Sequence, residues 1–555
     1  MFTLNLLIGF LLFTPFNASS FRKQVFSSDS KVIKSLDNNE TPYHNYVFKK
    51  ETPAERVNLN GDDIIPEITF PGITQEDFKD AFNVLDECLV MEPGFGFNFP
   101  FIAPGGHYGA CWWQIDASLA LNGTKWVNQH FTENVLRGFA NVQKPDGRIP
   151  LYGYDEVSGY PTCSSLPKLF VSAYAVLKHS NDKELIQTTY DYLKKYMDWW
   201  FSDVRRDHET GLITGVFEES FPPVENQLKA VAQVDLNVEI AVGCNILGKL
   251  AMQLGITSDY MKYSAFESEI KAAINKYMWD EATGAYYSFR VRENKLDSGL
   301  FSYTFDPFRL QIAPRERISK MISMLTDDKY FNWDSNPITS AAKTDKSYNE
   351  TIGTYNGALA WSGDIWTLRN EAAILGLEDI GRYDLAAYLS LRTVNLFNAN
   401  YAEFIKPSDG TGHGEKRYAW SASQYIQILI ENIFGIDYNG FNNTITIRPN
   451  LDGSLTGKDI SLEKLLLPDG NRLSLYISKG SDSTTIRYRI DGENKDKRIV
   501  ISLPTNGDIA CNGANGLKKD VKLTKIKKGA ALIYQIENGK KYDDEFTFVT
   551  SLLLD

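Results

Sequence analysis

Basic residues are sparse in this sequence relative to acidic ones. Its 555 residues include 58 Lys and Arg against 70 Asp and Glu, which gives a formal net charge of −12. Nucleic acids and anionic membranes are bound by clustered Lys and Arg side chains, and the overall acidity argues against such a basic face. The charge balance therefore excludes nucleic acid and anionic membrane surfaces as expected partners.

Cysteine and histidine are also scarce. The five cysteines contain no Cys-x-x-Cys pair, and the six histidines show no His-Glu-x-x-His spacing. Zinc sites use such spacings. We therefore expect neither a metal nor an organic cofactor, and the odd number of cysteines leaves at least one thiol unpaired in a monomer.

Long hydrophobic runs are absent after the amino terminus. Residues 1–20 form an apolar stretch that ends in small residues and is followed by Arg22 and Lys23. This pattern is typical of a signal peptide and is marginal for spanning a bilayer. We expect export or delivery to the endomembrane lumen, without membrane insertion after cleavage. Sequons for N-glycosylation begin at Asn39, Asn122, Asn349 and Asn442.

The residue pattern of the remaining chain changes twice. Residues 21–74 are polar and lack a sustained period, which predicts an irregular arm. Between 75 and 440, amphipathic helical segments follow one another, separated by loops rich in Gly, Pro, Asp and aromatic residues. From 441 to 555, short β-branched segments alternate with Asp-Gly and Asn-Gly turns, which predicts a C-terminal β-sandwich domain.

The helical region has no short fixed repeat, which favours helical hairpins closed into a ring over a solenoid or a bundle. In such a ring, the loops at one end line a concave site. The clearest helical patterns cover Trp126–Val142, Leu166–His179, Asp182–Ser202, Val234–Leu254, Ser258–Tyr277, Ile365–Leu375, Arg382–Asn398 and Ala422–Ile433.

Aromatic residues and acids gather in the loops of this region. The sequence is 13% aromatic, with 10 Trp and 29 Tyr. Core packing explains most single aromatic residues, but clusters beside acids suit sugars, whose C–H faces stack on rings. Cleavage of a glycosidic bond requires two carboxyl groups, one protonated and one ionised. Acids beside aromatic clusters are therefore the candidates for catalysis.

One such cluster carries a specific resemblance. The motif Tyr401–Phe404 is followed by the turn Lys406–Gly410 and by Tyr418–Ser421, which opens a helix. This segment resembles the catalytic-base segment of (α/α)6 glycosidases, among them processing α-glucosidase I, mannosylglycerate hydrolases, trehalases and glucoamylases. The resemblance implies a mainly α, (α/α)6 toroid, and it makes Glu403 the general base that activates water.

Three further segments extend the resemblance. Tyr355–Trp366 is similar to the Trp-Arg-Gly-Pro-Ile-Trp wall of the sugar subsite, with Ser362 and Asp364 in place of Arg and Pro. Trp113–Asp116 resembles the Trp-x-x-Asp of glucoamylases, and Gln143–Pro150 resembles the Gln-x-Asp-Gly-x-Ile-Pro turn of glucosidase I relatives. The implied substrate-binding residues are Trp113, Asp116, Gln143, Trp361, Asp364, Trp366 and Trp420. Helix capping by the two aspartates and core packing by the tryptophans are the alternative interpretations.

The general acid is less determined. Glucoamylases place a Glu-Glu pair at the corresponding loop, which fits Glu218 and Glu219, and adjacent carboxylates raise each other's pKa. Glucosidase I relatives place an Asp where this chain has Pro223. We expect Glu219 to be the acid, with Glu218 as the second candidate and Asp235 as the third.

The resemblance implies hydrolysis of an α-glycosidic bond in a carbohydrate with inversion. Two alternatives stay open. One is a carbohydrate-binding protein that keeps the aromatic residues but has lost its acid. The other is a toroidal lyase or epimerase, which would present Tyr or His bases in place of a pair of acids. Neither the sugar nor the oligomeric state follows from the sequence.

Overall fold

The computed structural model describes residues 57–154, 163–216, 218–221, 228–350, 361–493, 497–505, 509–513 and 523–550. The predicted signal peptide, the arm before residue 57, Pro223 and Tyr355 lie outside these ranges. Within them, no helix is long and apolar enough to cross a membrane.

Paired helices form the larger part of the described chain. Their order is α1 Gln75–Glu87, α2 Gln114–Thr124, α3 Gln129–Val142, α4 Leu169–Ser180, α5 Lys183–Trp200, α6 Val234–Gln253, α7 Thr257–Tyr277, a 3₁₀ helix Ser302–Gln311, α8 Arg315–Leu325, α9 Asp328–Phe331, α10 Thr367–Asp379, α11 Tyr383–Phe397 and α12 Ala419–Gln427, which continues as a π-helical stretch Ile428–Ile433.

Six of these elements close into an inner ring. In order, α2, α4, α6, the 3₁₀ helix, α10 and α12 each pack against the next, and α12 returns to α2. The outer partners are α3, α5, α7, α8 and α11, while α1 packs outside α12 and completes the sixth pair. This closed arrangement of hairpins is the (α/α)6 toroid that the resemblance implied.

The ring closes where two backbones come close together. Gly123 of α2 donates its backbone N–H to Ser423 Oγ of α12 at 2.7 Å. A β-carbon at Gly123 would lie 2.9 Å from the Ser423 backbone, so this contact requires glycine. Every residue of α2 is buried, including Asn122, which is 1% exposed. The sequon at Asn122 therefore cannot carry a glycan in the folded protein.

The inner elements begin at the same end of the ring. Five of them are followed by an outer helix that runs back, and α12 pairs with α1 from the start of the described chain. Trp113 precedes α2, and Asp116 lies in its first turn. Trp366 precedes α10, and Trp420 lies in the first turn of α12. The sequence segments singled out for sugar binding thus meet at one end of the toroid.

Buried ions link four of the inner elements below that end. Lys168 Nζ, just before α4, lies 2.7 Å from Glu239 of α6 and 3.4 Å from Glu371 of α10. Arg369 of α10 lies 2.9 Å from Asp306 of the 3₁₀ helix. These five side chains are at most 4% exposed. Pairing is what makes burial of such charges tolerable.

The C-terminal part is a sandwich of two sheets. Its strands are β1 Glu67–Thr69, β2 Ile436–Asn439, β3 Thr444–Ile447, β4 Lys458–Leu466, β5 Arg472–Lys479, β6 Ser483–Asp491, β7 Arg498–Thr505, β8 Ile509–Gly513, β9 Leu523–Lys528, β10 Ala531–Gly539 and β11 Asp543–Thr550. One sheet has the order β1-β4-β5-β6-β11-β8 and the other β2-β3-β7-β10-β9. Only the β3–β7 pair is parallel among these neighbours.

Two details differ from the boundaries drawn on the sequence. Strand β2 begins at Ile436, ahead of the predicted boundary at 440. The end of the predicted arm contains β1, which pairs antiparallel with β4 and places Ile68 opposite Leu462. The chain therefore contributes to the sandwich before it enters the ring, and α1 follows directly.

The buried ion pairs predict a stability effect. Arg369→Met keeps much of the side-chain length but leaves Asp306 buried without its cation, so we expect a loss of about 3–5 kcal/mol in the free energy of unfolding. Arg489→Met is the control, since Arg489 and Asp491 are 52% and 55% exposed and should contribute less than about 1 kcal/mol. Urea titration followed by tryptophan fluorescence measures both. Equal effects of the two substitutions would contradict this view of the ion pairs.

Candidate active site

Glu403 lies at the open end of the ring and is almost fully enclosed. Its Oε1 accepts a hydrogen bond from the Tyr108 hydroxyl at 2.7 Å, and its Oε2 accepts one from the backbone N–H of Glu415 at 3.0 Å. The side chain is 2% exposed. Burial raises the pKa of Glu403 to about 8, against the opposing effect of these two hydrogen bonds.

Glu415 joins the two donors of Glu403. Its carbonyl accepts the backbone N–H of Glu403 at 2.7 Å, so the two residues face each other across a hairpin. Its carboxylate accepts the backbone N–H of His107 at 2.6 Å, next to Tyr108. Glu415 therefore donates one of the two hydrogen bonds to Glu403 itself and holds the backbone next to Tyr108, which donates the other.

Asp116 is the second enclosed carboxyl at this end. It is 3% exposed, and its Oδ1 has no hydrogen-bond partner among the described residues. Burial raises the pKa of Asp116 to about 7, while a hydrogen bond from Tyr418 acts in the opposite direction. The charge of Asp116 in turn raises the pKa of Glu403. Asp116 and Glu403 are therefore electrostatic neighbours.

Glu218 faces the same group of carboxyls. Burial and then the charge of Asp116 raise the pKa of Glu218 to about 7. The residue keeps partial access to solvent, and its backbone is left-handed with φ 66°. Such a backbone conformation is uncommon outside glycine. It makes the chain turn at Glu218, so that the side chains of Glu218 and Glu219 point to different parts of the structure.

Glu219, the first candidate for the acid on the sequence, has a buried and fully bonded position. It is 0% exposed and paired with Arg205 at 2.5 Å. Its two oxygens also accept the backbone N–H groups of Ser164 at 2.7 Å and Val216 at 2.8 Å. These three contacts anchor the loop through Glu219 and leave Glu218 as the side chain that faces the other carboxyls.

Asp235, the third candidate, likewise has a structural position. One oxygen accepts the Ser220 hydroxyl at 2.5 Å, and the other accepts the backbone N–H of Phe221 at 2.8 Å. Both bonds fix the loop that carries Glu218. Asp235 therefore helps to hold Glu218, the candidate acid, in place.

Aromatic rings connect these carboxyls in one continuous line. Tyr152 stacks on Trp113 at 4.6 Å, and Trp113 meets Tyr108 edge-on at 5.8 Å. Tyr108 contacts Tyr418 at 6.0 Å, and Tyr418 contacts Trp420 at 5.3 Å. From there, the line passes through Trp366 and Trp361 to Phe221, with centroid distances of 5.6, 3.7 and 4.2 Å.

The predicted tryptophans of this line do not all have an open face. Trp361 is stacked between Trp366 and Phe221. Trp366 is 3% exposed, and Trp420, which is 2% exposed, donates its indole N–H to Thr367 at 2.9 Å. These three rings therefore pack the wall behind the site, whereas Trp113 keeps partial access to solvent.

Two predicted substrate contacts lie apart from the carboxyl group. The Gln143 amide nitrogen donates to the carbonyls of Gly147 and Tyr192 at 2.9 and 2.8 Å, so both its hydrogens are used within the fold. Asp364 is buried, and the charges acting on it are Glu350 and Lys406 rather than Glu403 or Asp116. Burial raises the pKa of Asp364 to about 8.

Sequence reasoning missed Tyr108 and Glu415, which carry no motif of their own.

Known proteins match both the sequence and the fold. Residues 218–421 match the family model described as the mannosylglycerate hydrolase MGH1-like glycoside hydrolase domain. Mannosylglycerate hydrolase from Rubrobacter radiotolerans is 25% identical over 191 residues, which cover 33% of this chain and 40% of that protein. Trehalase from Homo sapiens is 20% identical over 313 residues, which cover 45% and 52%. The chain thus spans about half or less of the curated relatives it matches.

A solved structure shows the same ring. The GH63 mannosylglycerate hydrolase from Thermus thermophilus, in complex with glucose, aligns with a TM-score of 0.54 at 17% identity and covers 63% of this chain and 98% of its own. The chain therefore has the six-hairpin (α/α)6 fold of these glycosidases. The segment that matches the family model begins at Glu218 and includes Glu403, so the two candidate carboxyls bracket most of it.

The raised pKa of Glu403 predicts a pH-dependent stability of the protein. An unfolded glutamate ionises near 4.5, whereas Glu403 holds its proton to about pH 8 in the folded protein. The folded state should therefore lose stability relative to the unfolded state as pH rises between these values. Glu403→Gln, which has no charge, should gain stability over the wild type from pH 5 to 8, by about 1.4 kcal/mol per pH unit at most.

Asp409→Asn is the control for this measurement. Asp409 lies on the same hairpin, but hydrogen bonds from Thr411 lower its pKa to about 2. Both folded and unfolded Asp409 are ionised above pH 5, so its replacement should give a difference that does not change from pH 5 to 8. A flat difference for Glu403→Gln as well would show that Glu403 is ionised throughout.

Proposed function

We propose that the chain is an inverting glycoside hydrolase that cleaves an α-glycosidic bond, with Glu403 as general base and Glu218 as general acid. The observation that carries this proposal is the position of Asp116, which acts electrostatically on both Glu403 and Glu218. Two carboxyls with raised pKa values that share one neighbour, beside aromatic rings, provide the groups that glycoside hydrolysis requires.

The two carboxyls have surroundings that suit opposite roles. Glu403 accepts hydrogen bonds from Tyr108 and from the Glu415 N–H, and these favour its ionised form. The influences on Glu218 are burial and the charge of Asp116, and both favour its protonated form. The productive state has the proton on Glu218 and none on Glu403. Because burial raises the pKa of Glu403 to about 8 and that of Glu218 to about 7, this state is the less populated of the two singly protonated forms of the pair.

In this state, Glu403 takes a proton from a water molecule as that water attacks the anomeric carbon. Glu218 gives its proton to the oxygen that leaves with the aglycone. Asp116, with one oxygen not bonded to any described residue, is suited to accept a sugar hydroxyl. Tyr108 and Tyr418 hold the carboxylates, so they support the pair of acids rather than a tyrosine base of the kind a lyase uses.

Substitution of each glutamate separates their roles. Glu403→Gln should lower kcat about 10²–10⁴-fold because the base is removed. Glu218→Gln should slow substrates with poor leaving groups far more than activated aryl glycosides, which need little protonation. Glu219→Gln should reduce stability instead, because it leaves Arg205 buried without its anion. Assays of aryl glycosides and natural disaccharides measure these effects, with thermal unfolding to separate the last.

The stereochemistry and the pH profile complete the test. NMR of the first product should show the inverted anomer, and the Glu218 and Glu403 carboxyl groups should lie about 6.5–9.5 Å apart in a crystal structure. The pH–rate profile should be a narrow bell near neutrality, since the two pKa values belong to one coupled group. Full activity of Glu218→Gln on natural substrates would exclude it as the acid, and complete inactivity of the wild type on all glycosides would favour a binding protein.

We also propose that the protein is exported through its N-terminal segment. The support is the apolar stretch of residues 1–20 followed by Arg22 and Lys23. Sequencing of the amino terminus of the protein recovered from the medium or from membrane vesicles tests this proposal. An intact Met1 on protein in the cytosol would contradict it.

A further inference from the structure

The charges described around the proposed site are of one sign. Asp116 belongs to α2, Glu218 to the loop after Val216, and Glu403 and Glu415 to the hairpin before α12. The charges that act on Glu403 come from Asp116 and Glu415, and the charge that acts on Glu218 comes from Asp116. Among the described residues, no cation has a comparable influence on Asp116, Glu218 or Glu403.

The cations of the adjoining loops are already bound by other groups. Arg205 pairs with Glu219, and Arg417 pairs with Asp80 at 2.6 Å and with Glu87 at 2.8 Å. Arg148, which is 6% exposed, donates to the Cys163 carbonyl at 2.8 Å. None of these guanidinium groups is available as the sole counter-ion of a bound anion.

Four stretches of the sequence that lie outside the described ranges also lack basic residues. The stretches 155–162, 217, 222–227 and 351–360 contain no Lys or Arg. Ser362 stands where the resembling families have an Arg in their Trp-Arg-Gly segment. The hairpin that carries Glu403 contains Lys406 and Lys416, which bind Asp409 at 3.4 Å and the Gly412 carbonyl. The charges that act on Glu403 and Glu218 are nevertheless those of acids.

We propose that this site takes glycosides whose aglycone is uncharged and discriminates against those whose aglycone carries a carboxylate, such as glycerate. This inference rests on the proposed function and names its substrate class. An anionic aglycone would bring a further negative charge next to Asp116, Glu218, Glu403 and Glu415 without a counter-ion. At roughly 6 Å and an effective dielectric constant of about 20, one such repulsion weakens binding ~100-fold.

The discrimination has a pH signature. Asp116 and Glu218 ionise at about 7 and Glu403 at about 8. A glycerate carboxylate ionises near pH 3.5 and stays charged over this range. Repulsion should therefore grow as pH rises from 5.5 to 8.5, whereas a steric barrier to glycerate would not change with pH.

Two neighbouring imidazoles also bear on this signature. His107 is exposed and packs edge-on against Tyr108. Any positive charge on this ring would attract an anion. His413 stacks on Phe404, and burial lowers its pKa. The variant His107→Gln removes the exposed ring and leaves the contribution of the carboxyls.

The experiment uses matched pairs of α-glycosides that share a sugar, either glucose or mannose, and differ in glycerol or D-glycerate as the aglycone. We measure kcat/KM for each pair at pH 5.5, 7.0 and 8.5 with the wild type and with His107→Gln. The glycerol form should be preferred about 100-fold at pH 8.5, with a clearly smaller ratio at pH 5.5, in both proteins. Preference for the glycerate form, or a ratio that does not change with pH, would overturn the inference.

A charge variant links the ratio to the site. Glu415→Gln removes one negative charge near Glu403 and should reduce the preference several-fold at pH 8.5. Glu87→Gln is the matched control. It removes one negative charge as well, but Glu87 is paired with Arg417 and lies on the outer helix α1. An equal effect of both variants would place the discrimination outside the site.

Binding distinguishes failure of the inference from failure of the proposed chemistry. Calorimetry of both glycosides with Glu403→Gln measures the preference without turnover. Tighter binding of the glycerol form without hydrolysis by the wild type would refute the catalytic proposal and support the charge selectivity. Binding of the glycerate form at least as tight would overturn the selectivity alone. If neither glycoside of any pair binds, both the catalytic proposal and the charge selectivity are overturned.

Discussion

The buried ion pairs at the end of the inner helices are the constraint on which the site depends. Lys168 with Glu239 and Glu371, and Arg369 with Asp306, tie α4, α6, α10 and the 3₁₀ helix together. The charge of Arg369 also acts on Asp235, which binds Ser220 and Phe221 through their hydroxyl and N–H groups. Removal of one ion would leave another uncompensated in the interior, so the loop that carries Glu218 rests on a set of side chains that must be kept together.

The same principle separates the two adjacent glutamates. Glu219 contacts a buried guanidinium and two backbone donors, whereas burial and the charge of Asp116 act on Glu218. A cation and hydrogen bonds stabilise the charged form, while burial beside an anion stabilises the neutral form. One loop thus provides an anchor and a candidate proton donor in consecutive residues. The side chain that the fold needs for stability is therefore distinct from the one available for chemistry.

The sequence pattern located most helices of the ring but not α2 and the 3₁₀ helix of the inner ring, nor the outer helices α1 and α8. Helices such as α5 alternate buried and exposed faces, which gives the periodicity used for prediction. In contrast, α2 is buried on all sides and the 3₁₀ helix contains Pro307, so neither has a clear amphipathic period. Glu403 could be proposed from the sequence because it stands in a recognisable motif. The sequence could not separate the surroundings of Glu218 and Glu219, because the left-handed backbone of Glu218 is a property of the folded loop.

The aromatic residues show a further limit of reading composition as function. Trp361, Trp366 and Trp420 stand in sugar-binding segments by resemblance, yet their faces are occupied by Phe221, by one another and by the core. Inner helices that start at a common end leave wedge-shaped gaps, and large flat rings fill such gaps well. Trp113 and Tyr108 keep partial solvent access, and we propose these two rings for direct stacking on a sugar. Since the Tyr108 hydroxyl also donates to Glu403, contact of a sugar with this ring would be felt directly by the proposed base.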